Sequence, residues 1–177
     1  MARPLKMSEN IPEIEGSWEL VVALKYQAYY LRASHYIAES IVKYGGDSAS
    51  KIFIIEVAMD VYRMLLATAS EDRTSEYYVQ RSVFRNAGVV AGMLGGQYQQ
   101  AGDNEGSKST AVTMFRFWDR FMDQCELEAG NEERDCKEVS LFLDHGVNPY
   151  TQQNFAGEAG FAWVGEKYKG THAKKYQ

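Results

Sequence analysis

Apolar side chains recur along most of this chain at the spacing of a helix face. Leu24, Ala28, Leu31, His35, Ala38 and Val42 follow one another at intervals of three or four residues. Such a repeat lays a single stripe along a helix. It predicts a first helix over 17–44, with Ser17 as N-cap and Gly45-Gly46 as the stop. Tyr26, Tyr29, Tyr30 and Tyr36 fill much of its flank.

A second helix is predicted over 49–69, capped by Asp47 or Ser48. Its main stripe is Ile52, Ile55, Met59, Tyr62 and Leu66. Phe53, Ile54, Val57, Ala58, Val61 and Leu65 make it apolar nearly all round, the pattern of a helix buried on most sides. It is therefore expected at the centre of the fold, with Glu56, Asp60 and Arg63 as its narrow polar line.

A third helix starts at Thr74 or Ser75 and runs to 97, carrying Tyr77, Phe84, Ala91 and Leu94. The turn-rich stretch 101–106 ends it. Ser107 or Ser109 caps a fourth helix to 129, where Val112, Phe115, Met122 and Cys125 form one line and Met114, Trp118 and Phe121 widen it. A shorter fifth helix spans 132–145, with Cys136, Val139, Phe142 and Leu143 on its apolar face. Gly146 and Asn148-Pro149 close it.

Periodicity stops at Tyr150. The expected fold is all-α: a compact bundle of about five helices over 17–146. An irregular N-terminal arm over 1–16 precedes it. A long non-helical C-terminal tail over 147–177, rich in glycine and aromatics, follows.

Composition refines this picture only slightly. The 177 residues are 45% apolar and 24% charged, which suits one globular domain and excludes wholesale disorder. Two cysteines are too few for a secreted disulfide scaffold. Cys125 and Cys136 therefore read as buried thiols in a reducing compartment. No apolar run follows Met1, and no stretch reaches the ~18 apolar residues of a membrane span. The expected location is the cytoplasm, or a particle assembled there.

Charge changes the picture more. The net value is −5, yet 119–138 holds eight acids against three bases. Lys167, Lys169, Lys174 and Lys175 crowd the other end. An acidic face and basic ends predict self-association, the tail of one copy meeting the face of another.

Candidate chemistry is sparse. His35 with Glu39, Glu56 with Asp60, and Asp119 with Asp123 each stand four residues apart on a helix. Carboxylates facing one another in a bundle can hold metals. The Glu-x-x-His pairing of di-iron bundles is missing, however, and Arg63 and Arg120 lie within ion-pair reach of Asp60 and Asp123. No metal or cofactor is assigned; Glu56, Asp60, His35 and Glu39 stand as the outside candidates. Residues 102–110 lack the spacing of a phosphate-binding loop, and no Gly-x-Ser-x-Gly occurs.

Two features point to contact rather than catalysis. Gly88, Gly92 and Gly96 share a helix face, which predicts a close backbone approach by a helix of this chain or of another copy. Phe155, Phe161, Trp163 and Tyr168 lie in the tail, where large aromatics need something to pack on. The sequence thus predicts a non-enzymatic structural or interaction subunit of a larger assembly, a homo-oligomer or virion-like particle, joined to copies of itself or other subunits by its terminal arms. A nucleic-acid-binding coat or packaging protein, using Lys167, Lys169, Lys174 and Lys175, is one alternative. A carboxylate-metal helical-bundle enzyme is the other.

Overall fold

A computed structural model describes residues 35, 38–40, 43, 45–67, 81–127 and 134–176. The chain divides into two compact units, 1–80 and 81–177. The expected bundle over 17–146 is therefore cut near 80, and the C-terminal 147–177 belongs to the second unit. The N-terminal arm, the caps proposed at Ser17, Thr74 and Ser75, and most of the first helix lie outside the described residues.

In the first unit, His35, Ala38 to Ser40 and Lys43 are helical. Helix α1 spans Ser48–Ala67. Asp47 caps it: its carboxylate accepts from the Ser50 backbone N–H at 2.9 Å and the Ser50 hydroxyl at 3.2 Å. The backbone bond holds the Asp47 carboxyl below its ordinary pKa. Ile55, Ala58, Met59 and Tyr62 form the buried stripe. The helix is not buried on all its apolar sides, however: Phe53 is 62% exposed. Phe53 sits seven residues before Asp60, on the same side of the helix, and that side is the polar one.

In the second unit, α2 spans Arg81–Gln100 and α3 spans Asn104–Leu127. A tight turn joins them. Gly102 adopts a positive φ of 78°. Its N–H donates to the Gln99 carbonyl, and that of Asp103 donates to the Tyr98 carbonyl. These two bonds satisfy carbonyls the helix end would orphan. Asp103 then caps α3 by accepting from the Gly106 N–H at 2.8 Å. The cap lies earlier than Ser107 or Ser109 because Asp103 already offers a carboxylate three residues before a free N–H. Ser107 is buried instead, its hydroxyl donating to Gln153 Oε1 at 2.9 Å.

Ala111, Met114, Phe115, Trp118, Phe121, Met122 and Cys125 are all buried along α3. Their spacing of three, one, three, three, one and three is that of a continuous inward face. Helix α4, Arg134–His145, repeats it with Cys136, Val139, Ser140 and Leu143. Gly146, at φ 63°, ends α4, as its position after the last apolar residue implies.

Beyond Gly146 the chain is more ordered than its lack of periodicity suggests. Strands β1 (Val147–Asn148) and β2 (Gln153–Asn154) pair antiparallel, Val147 opposite Asn154. A 3-10 turn at Ala159–Phe161 leads into α5, Ala162–Tyr168, and then α6, Thr171–Tyr176. The all-α bundle holds, but the non-helical tail is corrected to a hairpin and two short helices. Each helix is too short to show a repeat of its own, so side-chain spacing could not signal them.

Candidate functional site

Helices α2 and α3 run antiparallel, and the glycines of α2 set their contact. A Cβ at Gly88 would overlap the Trp118 indole. At Gly92 it would meet Met114 Sδ at 2.9 Å and the Tyr150 ring edge at 2.5 Å. At Gly95 it would meet Thr110 Oγ1 at 2.8 Å. Gly96 is different, with only the Tyr150 carbonyl at 3.6 Å, an ordinary contact. The close approach expected at Gly88, Gly92 and Gly96 therefore falls on Gly88, Gly92 and Gly95. Steps of four and three stay on one helix face better than two steps of four. The partner is this chain's own α3, together with the hairpin. Trp118 uses the space at Gly88 to donate its Nε1 proton to the Arg85 carbonyl at 3.1 Å, and it stacks on Phe142.

Asn148 is a node that sequence reasoning missed. It is fully buried. Its Nδ2 donates to the Gly92 carbonyl at 3.4 Å, and its Oδ1 accepts from the Tyr150 N–H at 3.0 Å. The Asn-Pro pair reads as a helix stop, which hides the side chain's role. Only the coincidence of a turn with a glycine-lined helix could have flagged it. The result is a hairpin tip clamped to α2. Tyr150 stands on that tip with 43% of its surface exposed.

The aromatics of the C-terminal segment are interior. Phe155 and Phe161 stack at 4.5 Å between ring centroids, and both meet the Phe115 ring edge-on, at 6.3 and 5.6 Å. Phe161 and Val164 are sealed from solvent, and Tyr168 nearly so. Trp163 is half-buried. Phe155, Phe161 and Tyr168 are thus corrected from free contact residues to core. The unit's own α3 already offers Phe115 to the two phenylalanines and Asp119 to the Tyr168 hydroxyl, so no second chain is needed to cover them.

Polar bonds hold the same segment. Asp119 accepts from the Tyr168 hydroxyl and from Lys167 Nζ, the latter at 2.7 Å. Lys167 also reaches Asp123 at 3.3 Å. Burial pulls the Lys167 pKa down, but the hydrogen bond and charge of Asp119, then the charge of Asp123, more than reverse it, and the net shift is upward. On α4, Asp144 accepts from the backbone N–H groups of Gly170 at 2.6 Å and His172 at 3.2 Å. It thereby caps α6 from outside. Lys108 of α3 pairs with Glu158 at 2.5 Å.

Of the four candidate nucleic-acid lysines, Lys167 is spent in this clasp, while Lys169, Lys174 and Lys175 are exposed. The arginines of the second unit are largely engaged internally. Arg85 pairs with Asp135 at 3.4 Å, Arg120 lies over the Phe84 ring at 4.7 Å, and Arg81 Nη1 donates to Cys136 Sγ at 3.8 Å.

The outside metal candidates do not converge. His35 pairs with Glu39 at 3.4 Å, and Asp60 pairs with Arg63 at 2.9 Å. Among the described residues, no three His, Cys, Asp or Glu side chains are placed to hold an ion. No helix among them is long and apolar enough to cross a membrane.

The expectation for cysteine is overturned. Cys125 and Cys136 are joined in a disulfide, their Cα atoms 6.3 Å apart. Both are fully buried. A separation of 11 residues across a helix connection brings them within bonding reach.

No family model, curated protein or solved structure matches the chain.

Proposed function

We propose that the chain is a non-enzymatic interaction subunit that associates with copies of itself. The observation that carries this reading is Tyr150. An aromatic ring with one edge pressed over Gly92 and nearly half its surface open is held on a hairpin tip that Asn148 fixes in place. A rigid, half-exposed tyrosine supplies contact area at little entropic cost, the property of an interface anchor. Leu141 adds an apolar site, 37% exposed, on an outer face of α4 otherwise made of Arg134, Lys137, Glu138 and His145. Exposed Lys169, Lys174 and Lys175 oppose in sign the exposed Asp123 and Glu138, which supports head-to-tail contact between copies. Contact is assigned to the hairpin tip and the outer face of α4 rather than to the aromatics of the C-terminal segment. Nucleic-acid packaging draws less support, since Lys167 is already paired twice.

Light scattering on the full chain over a range of concentrations tests this. The expected native mass is a multiple of the chain mass, falling toward one chain in Tyr150→Ser and further in Tyr150→Ser with Leu141→Ser. A single-chain mass for the unsubstituted protein at every concentration would remove the proposal.

A further inference from the structure

The two sulfurs of the buried disulfide sit in opposite electrostatic settings. Cys136 is the third residue of α4, inside its first turn. There the helix presents the positive end of its dipole. Arg81 Nη1 donates to Cys136 Sγ at 3.8 Å. Asp135, the adjacent acid, is answered by Arg85 at 3.4 Å. Cys125 lies two residues before the end of α3, at the negative end of that helix. A thiolate is stabilised beside a guanidinium and at a helix N-terminus, and destabilised at a helix C-terminus.

We infer that Cys125–Cys136 is a polarised, reducible staple, a site of thiol–disulfide exchange rather than a permanent cross-link. A small-thiol reductant of the glutathione class attacks Cys125 Sγ as its thiolate. A Cys125–thiol mixed disulfide forms, the bond to Cys136 breaks, and the electron pair leaves on Cys136 Sγ, where Arg81 and the α4 N-terminus hold it. A second thiolate then attacks the small-molecule sulfur of the mixed disulfide. The oxidised small disulfide departs, and the Cys125 thiolate takes a proton from water. Both sulfurs are buried, so attack follows a local opening that exposes them; the position of the equilibrium does not depend on that opening. Stabilising the reduced form raises the potential, and the short span closed by the bond adds only a modest chain-entropy brake on reduction.

The test is equilibration of the full chain at neutral pH in graded mixtures of reduced and oxidised glutathione, followed by acid quench, alkylation and mass measurement. Arg81→Met is expected to shift the equilibrium about tenfold toward the disulfide. Arg81→Lys, which keeps the charge, is expected to recover most of that shift. In the unsubstituted protein, peptide mapping of the intermediate is expected to find glutathione on Cys125. Glutathione on Cys136, or an Arg81→Met midpoint equal to that of the unsubstituted chain, would overturn the inference. The mapping uses no substitution, so it decides even if Arg81→Met fails to fold.

Discussion

The α2–α3 contact and the C-terminal segment both carry the marks of an intermolecular interface, and both turn out to be satisfied inside one unit. They are built from opposite means. At α2 the contact depends on side chains being absent: Gly88, Gly92 and Gly95 make room for Trp118, Met114 and Thr110. In the C-terminal segment it depends on bulk: Phe155 and Phe161 pack on Phe115, and Val164 and Tyr168 are buried with them. A contact made of space is decided position by position. One made of bulk is closer to a sum of buried areas.

That contrast can be broken first at the aromatic end. Phe161→Ala should cost about 3–5 kcal/mol, the range for emptying a fully buried phenylalanine site. Denaturant unfolding monitored by Trp fluorescence should show the midpoint fall sharply. A loss below about 1 kcal/mol would mean the segment is not part of the core. For the same reason, truncation after Asn148 should unfold the second unit rather than merely disperse an assembly.

The glycine end gives a sharper test because two neighbours should move in opposite directions. Gly88→Ala drives a methyl into the Trp118 indole and should destabilise by about 1–3 kcal/mol. Gly96→Ala meets only an ordinary contact and removes a flexible residue from a helix, so it should stabilise by up to about 1 kcal/mol. Thermal melts of the pair settle it; shifts of the same sign would show that helix propensity, not packing, governs this face.

The smallest effect lies in the clasp. Lys167 has a raised folded pKa, so its pairing should be fully present below the unfolded value of about 10.4 and lost as pH climbs through the folded value. Its side chain is 47% exposed, and solvent screening holds the contribution to a fraction of a kcal/mol. The stability gap between the unsubstituted chain and Lys167→Met should accordingly be small at neutral pH and close in strong alkali. A gap that widened with pH would contradict the assignment.

Much of the fold was legible in the sequence because helices of 20 or more residues repeat their inward face many times. Most of the α3 stripe, from Met114 to Cys125, and the stops at Gly102 and Gly146 follow from spacing and φ preference alone, although the stripe begins at Ala111 and leaves the expected Val112 only half-buried. The glycine face was legible as a close approach, though not its exact members, since Gly95 and Gly96 are separated only by how the partner helix lies. The C-terminal segment was not legible. Its two-residue strands and six- and seven-residue helices are held by Asp119, Asp144 and Phe115, all distant in sequence, and local pattern carries no trace of such partners. The disulfide was hidden likewise, because two isolated cysteines look alike whether bonded or free. Tyr150 was unremarkable until Asn148 fixed its place.

The clasp has a consequence for how the protein is made. Asp119 finds its partners 48 and 49 residues later in the chain, and Asp144 finds its own at 26 and 28. During translation, α2 and α3 emerge complete while the side chains that cover Phe115 are still unsynthesised or inside the exit tunnel. The second unit can close only after residues 155–172 have left the ribosome, so until then the nascent chain presents an open apolar seam to whatever chaperone waits there.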